Sequence, residues 1–179
     1  MDEDYYVLTL AAIARELARE RIAEFKGTNM LCDIGNGTMN ILRITDRRPD
    51  PRQMFTEKYG VNQCVLAMRE DLLREHQAQV DEVTIHRFLR NGTAAIDPDI
   101  EKTMTTAAQQ YTAKVFRCLR ERGYDPRLMR LYVVGGGGCL IRHFSRYDSK
   151  RVTILDDICA TAKGYEYMAE VALRKVGRK

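Results

Sequence analysis

Apolar and polar residues follow two different periods along this chain, and the switches between them mark out the elements. Over residues 4–25 the spacing is helical: Tyr6, Leu10, Ile13 and Leu17 fall on one stripe, with Arg15, Glu16, Arg19 and Glu20 elsewhere. An amphipathic helix that needs a partner surface is predicted there. Gly27, Thr28 and Asn29 stop it. Two short apolar runs follow, Met30-Leu31-Cys32 and Met39 to Ile44, separated by Asp33-Ile34-Gly35-Asn36-Gly37-Thr38. This pattern predicts a β-hairpin with Asn36-Gly37 at its tip. A turn over residues 46–51, rich in Asp, Arg and Pro, then leads to a third, edge strand over 53–58, ended by Tyr59-Gly60.

From Val61 to His76 the helical period returns, with Val61, Val65, Met68 and Leu72 on one side and Arg69, Glu70, Asp71 and Arg74 on the other. Such a helix packs on a sheet. A shorter helix over 83–89 is capped by Asn91-Gly92. Asp97-Pro98-Asp99 starts a long helix running to about Arg122, with Ile100, Met104, Ala108, Tyr111, Val115 and Leu119 inward and Gly123 beyond its end. A buried strand, Leu131 to Val134, then runs into four glycines and an apolar helical start at Cys139-Leu140-Ile141. A last strand over 151–155 precedes Asp156-Asp157, which can cap a helix reaching about Lys175.

Two stretches carry candidate chemistry. The first is the hairpin turn, where an acid at a strand end is followed by two glycines and a threonine. Glycines permit positive φ and inward-facing amides around an anion, and Asp33 can hold Mg²⁺ directly or through water. Asn-Gly hairpins are common, so the turn alone is not diagnostic. The second is Gly135, Gly136, Gly137 and Gly138 at the end of a buried strand, the place where open α/β sheets bind ligands. Four consecutive glycines are costly to order, and a flat ligand pressed against the backbone explains them better than a loose linker.

Composition narrows the class. The chain has 179 residues, 45% hydrophobic and 30% charged, enough for one globular domain or two small lobes. Its net charge of +4 comes from Arg and Lys interleaved with acids, which does not favour direct nucleic-acid binding. The basic cluster from Arg174 to Lys179 reads as a solvated tail. Cys32, Cys64, Cys118, Cys139 and Cys159 are odd in number and widely spaced, as expected for small buried hydrophobes in a reducing cytoplasm. His76, His86 and His143 lack metal-ligand spacing, so no zinc site is expected. No apolar run approaches a membrane span, and the acidic start is the wrong sign for a secretory signal.

The order strand, DIGNGT, strand, helices, strand, VVGGGG, helix resembles the second half of the actin-like ATPase superfamily, and within it the bacterial plasmid-segregation actins of the ParM/StbA type. Asp33, Gly35, Gly37 and Thr38 match the second phosphate motif. Gly135 to Gly138 match the adenosine motif, and residues 160–167 look like the closing helix, although Thr161 stands where asparagine is expected. Residues 57–61 and 5–17 are also similar to ParM-like chains.

The resemblance implies an α/β fold: an actin-like (ribonuclease H-like) lobe, with a mixed sheet flanked by helices. Residues 1–26 form an extra N-terminal amphipathic helix, a remnant of the first lobe, and 27–179 form the nucleotide-binding lobe. ATP or GTP with Mg²⁺ is implied. Asp33 would be the catalytic and Mg²⁺-orienting residue, Gly35, Asn36, Gly37 and Thr38 phosphate donors, and Gly135, Gly136, Gly137 and Gly138 the adenosine cradle. The helix after the glycines would aim its dipole at the phosphates.

Implied partners are further copies or full-length actin-like subunits, with a DNA-binding adaptor and no membrane. No first phosphate loop is found, so a stretch between Ile22 and Gly27 is expected to be missing and ATP hydrolysis impaired. Alternatives are a non-enzymatic assembly or capping module and a sugar or acetate kinase relative.

Overall fold

Strand β1 (Thr28–Ile34) is buried on both faces because Met30, Cys32 and Ile34 point one way and Leu31 the other. A computed structural model describes residues 3–155 and 159–176, without the side chains of residues 3–8, 160–161, 171–172 and 174–176. β1 pairs antiparallel with β2 (Met39–Thr45), which pairs antiparallel with β3 (Arg48–Glu57). On its other side β1 runs parallel to β4 (Arg130–Val134), and β4 parallel to β5 (Val152–Ile154). The result is a mixed five-stranded sheet in the order β3-β2-β1-β4-β5, as the actin-like fold class predicts.

One face carries α2 (Val61–His76), α3 (Glu82–Asn91), α4 (Pro98–Glu121) and α5 (Gly138–Phe144). Val65, Met68, Phe88, Met104 and Val115 meet Met30, Cys32, Ile41, Leu131 and Val133 there. The other face is covered by α1 (Glu3–Arg19), whose Leu10, Ile13 and Leu17 bury against Leu31, Leu42, Ile44, Tyr132 and Val134. Helix α6 (Ala160–Val176) packs against α1. Their approach is close enough that any side chain at Gly164 would collide with the Ala12 backbone. The helix stripe predicted from the sequence thus finds its partner surface within the chain. The side chains of Tyr6, Thr161 and residues 174–176, the Asp156-Asp157 cap and residues 177–179 of the basic tail lie outside what is described.

The structure corrects three local expectations. Helix α1 ends at Arg19, because the Leu17 carbonyl accepts from the amides of Ile22 (2.9 Å) and Ala23 (3.1 Å). Arg21 and Phe25 then take left-handed φ values of 56° and 49°. That turn puts Phe25 into the core, its ring 5.1 Å from Tyr132.

Strand β3 begins at Arg48, ahead of the predicted 53–58, and runs through Pro49 and Pro51. A two-residue turn at Asp46 and Arg47, both at positive φ, closes the β2–β3 hairpin. Prolines are tolerated because β3 is an edge strand whose register shifts opposite Leu42 and Arg43. Among the cysteines, Cys32, Cys64 and Cys118 are buried, but Cys139 is half-buried and Cys159 exposed, since both sit at the beginnings of surface helices.

The α1 layer predicts a measurable asymmetry. Ile13→Ala empties a fully buried position and should cost about 2–5 kcal/mol in urea unfolding. Ile22→Ala, at a position 45% exposed, should stay within about 0.5 kcal/mol of wild type. Equal small effects would mean that α1 does not pack on the sheet in solution.

Candidate functional site

Because β1 and β4 are parallel, with Asp33 in register with Val134, the turn after β1 and the glycine run after β4 emerge side by side. They are tied together by the Gly137 amide, which donates to the Ile34 carbonyl at 2.9 Å. The turn itself is closed by the Gly35 amide on the Thr38 carbonyl, 2.9 Å. The amides of Asn36, Gly37 and Thr38 have no acceptor among the described residues. The turn is held from below by α2, whose first amides, Val61 and Asn62, donate to the Gly35 and Asn36 carbonyls at 3.0 and 2.9 Å. Gly60 makes this seat possible, since a Cβ there would run into the Asn36 and Gly37 backbone. Tyr111 on α4 fixes the same corner through a 2.6 Å bond to the Tyr59 carbonyl.

Expected positive φ at Gly35 and Gly37 is not found; the one glycine of the two motifs with that conformation is Gly135, at φ 83°. A four-residue connection does not need the mirror-image turn that a two-residue hairpin demands. The four consecutive glycines divide by role. A Cβ at Gly135 would sit 2.5 Å from Asp33 Oδ1, while Gly137 and Gly138 pack against Ile34 and Ile154. Gly136 alone is exposed, with open space where its Cβ would be. Gly37 faces open space in the same way.

A cleft of about 210 Å³ opens between the two turns, walled by Gly35, Asn36 and Val61 on one side and by Gly136, Cys139 and Leu140 on the other. Helix α3 closes it with His86, Leu89 and Arg90. As site elements, α3 and the start of α2 were missed by sequence reasoning; the clue was Gly60 placed just before a helical run. Arg90 has no carboxylate partner among the described residues, whereas His86 Nε2 lies 3.5 Å from Glu82 Oε1. At 210 Å³ the cleft is below the ~300 Å³ where drug-sized pockets begin, so it has room for only part of a nucleotide.

Asp33 is not on the cleft wall. Strand alternation places it on the face shared with Leu31, beside Gly135. Its carboxyl is pushed up to about 6 by burial alone; no hydrogen bond or cation answers it among the described residues. The structure therefore brings together Gly35, Asn36 and Gly136, with Asp33 and Gly135 behind the same edge. Thr38 and Gly37 lie over the turn, and Gly137 and Gly138 are part of the packing beneath it. No cluster of three metal-ligating side chains occurs among the described residues. A lone carboxylate still suits Mg²⁺, which commonly takes one or two carboxylates and completes its shell with phosphate and water. No described helix is long and apolar enough to cross a membrane.

No curated protein matches the sequence. Among solved structures, the archaeal actin homologue Ta0583 superposes with a TM-score of 0.71 at 20% identity, over 89% of this chain and 54% of that one. Its complex with ADP gives 0.64. The ParM filament from Clostridium botulinum gives 0.65 at 14% identity, over 89% of this chain and 51% of its own. MreB 5 of Spiroplasma citri bound to AMPPNP gives 0.65 at 14% identity, over 95% and 60% respectively. These likenesses show the fold, and this chain spans little more than half the length of each. Residues 31–146 match the family described as archaeal actin homologue MreB-like, C-terminal, which is well over half of the chain, and the chain belongs to that family.

Proposed function

We propose that this chain is the nucleotide-binding lobe of an actin-like protein, holding ATP or GTP with Mg²⁺ across the sheet end where its two turns meet. The observation that carries this reading is a partnerless, largely buried carboxyl at the same sheet edge as three open backbone donors. The Asp33 carboxyl has no partner and is raised by burial to about 6. Beside it the Asn36, Gly37 and Thr38 amides have no acceptor among the described residues, an arrangement suited to an anion with its cation. Asp33 would orient Mg²⁺ or its waters, and the three free amides would face phosphate oxygens.

Gly35 shapes the turn, its own amide being already donated to Thr38. The exposed Gly136 backbone would take a ribose or base in the cleft, with Arg90 and His86 at its rim. Bound Mg²⁺ would supply charge neutralisation for the phosphates. The archaeal homologue crystallised with ADP and the Spiroplasma citri protein bound to AMPPNP support the nucleotide assignment.

In this reading residues 1–26 belong to the lobe's supporting layer and 27–179 to the lobe proper. Self-association or docking on full-length actin-like subunits, a DNA-binding adaptor and a role in plasmid segregation form the finer proposal. The Clostridium botulinum ParM filament supports the self-association part. A second reading, an assembly or capping module without turnover, is favoured by Leu66 and Leu73, 50% and 54% exposed on one stripe of α2, and by Val83 on α3 at 67%. Apolar side chains left in water at that level suit a protein contact.

The Asp33 environment sets a pH test. Its unfolded value is near 3.8 and its folded value about 6, so the folded state holds the proton more tightly. The stability this gives is full below about pH 4 and is lost as pH rises through about 6. Asp33→Asn should therefore raise the Tm at about pH 8 and leave it unchanged at about pH 4. In calorimetry with Mg-ATP at the higher pH the same variant should bind at least roughly tenfold more weakly, about 1.4 kcal/mol. Wild-type affinity for Mg-ATP in Asp33→Asn would remove this carboxylate from the site.

The divided glycines give a second test. Gly136→Val should weaken nucleotide binding and keep the Tm, because its Cβ meets nothing. Gly137→Val should lower the Tm by collision with Ile34. If Gly136→Val unfolded the chain, the run would be structural throughout.

A third test concerns turnover. The described residues offer a single phosphate turn, and each donor absent from a developing charge typically costs about 10²–10³ in rate. Phosphate release from Mg-ATP by the purified monomer should be near background. Robust turnover at sedimentation-verified monomer would count for a complete active site and against the assembly-module reading.

A further inference from the structure

A second concave feature, toward the opposite end of the sheet, shares no wall residue with the nucleotide cleft. It lies between α4 and the connection from α5 to β5, with a volume of about 480 Å³, inside the usual range for small-ligand sites. Its apolar wall is aromatic, formed by Phe116, Phe144, Tyr124 and Tyr147. Its charged wall is Arg120, Arg146 and Arg151, against the single acid Asp148. None of the three guanidiniums has an ion pair among the described residues. Asp148 already accepts the Lys150 amide at 2.9 Å on Oδ1, and its carbonyl takes the Arg151 and Val152 amides.

Two further facts separate this cavity from an ordinary surface dent. Tyr124 is 5% exposed, and its buried hydroxyl has no hydrogen-bond partner. Wall residue Thr112 is held in place by its hydroxyl, whose one proton is shared between the Gln109 and Phe144 carbonyls, each 3.0 Å away, which ties α4 to the end of α5 in this part of the wall. Guanidiniums at the rim of an aromatic wall suit a planar anion: the planar cation pairs with carboxylate in fork geometry and also stacks on a flat body. A free phosphate lacks the apolar body that the aromatic wall would cover, and a neutral hydrophobe makes no use of the cationic rim, where Arg120 and Arg146 are exposed and Arg151 half-buried.

We propose that this cavity is a binding site for a small organic anion with a flat apolar body, an aryl carboxylate being the simplest member of the class. The site is independent of the nucleotide reading, and its occupancy places a ligand against the connection that feeds β5.

The test uses the full chain and three probes: 1-naphthoate, the neutral 1-naphthamide and acetate, titrated by calorimetry and by amide NMR. Expected are one saturable site for 1-naphthoate with shifts at Phe116 and Tyr147, affinity at least tenfold weaker for 1-naphthamide, and no binding of acetate. Ala113→Trp, at an exposed wall position of α4, should lower 1-naphthoate affinity at least tenfold. Arg151→Gln should bring the two naphthyl probes within about threefold of each other.

Tm values of Ala113→Trp and Arg151→Gln close to wild type guard against reading misfolding as lost binding, and Tyr124→Phe, which removes an unpaired hydroxyl, should leave the Tm unchanged or higher. Equal affinity for the acid and the amide, or 1-naphthoate binding unaffected by both Ala113→Trp and Arg151→Gln, would overturn the proposal. Mg-ATP titrations of the same variants should match wild type, so failure here and failure of the nucleotide reading are separately visible.

Discussion

A strand that is paired on both edges and covered on both faces must find apolar partners in four directions, and β1 sets that demand for the whole chain. Met30, Cys32 and Ile34 require one helical layer, Leu31 the other, while β2 and β4 close its edges. Burying each such side chain is worth roughly 1.5–3 kcal/mol, so neither layer is optional. The α2–α4 layer satisfies one side. On the other, α1 supplies Leu10, Ile13 and Leu17, and the tail of that segment adds Ala23 and Phe25. The N-terminal helix, expected from the resemblance to be a remnant of a first lobe, packs here as part of this lobe's core.

The same strand fixes the location of the site. Antiparallel pairing with β2 forces a tight connection right after Ile34, and parallel pairing with β4 brings the glycine run to the same end. Parallel neighbours cannot be joined by a hairpin, so the chain between β2 and β4 has to travel, and it spends that length on β3 and on α2, α3 and α4. Two of these return to the turn: α2 supplies Val61 and Asn62 amides beneath it, and α3 supplies His86 and Arg90 beside it. Topology, more than any single motif, gathers the site.

Elements whose boundaries rest on local chemistry were legible in the sequence. Helix α2 runs Val61–His76 as its period predicts. Helix α4 starts after Asp97, whose Oδ1 accepts the Asp99 amide at 2.9 Å, with Pro98 in the first turn. Both glycine motifs fall where they were expected. What was not legible depends on long-range packing. The end of α1 is set by the Leu17 carbonyl and by two non-glycine residues in left-handed φ, which no composition rule announces. Proline in β3 is acceptable only because that strand is at the edge, a fact of sheet order. The face on which Asp33 sits follows from the register of β1, and the Arg120, Arg146 and Arg151 cavity from residues far apart in the chain.

The turn end of the sheet departs from ordinary packing in three ways at once. Asp33 is an acid held where burial raises it to about 6 with no partner; relative to 3.8, that shift disfavours the ionised form by on the order of 2–3 kcal/mol before solvent screening is allowed for. Next to it, three consecutive amides have no acceptor among the described residues; Asn36 and Gly37 are exposed and Thr38 half-buried, so these donors stand open to water or to an anion. Gly136 keeps an open backbone where its neighbours Gly137 and Gly138 are packed against isoleucines. Each departure is tolerable alone, since the turn is partly open to water. Their coincidence at one edge is harder to attribute to folding, because local rules are usually broken where function requires it. A cation at the carboxylate and an anion on the amides would relieve the first two together. One ligand that carries both charges, with a flat body for the open glycine, relieves all three.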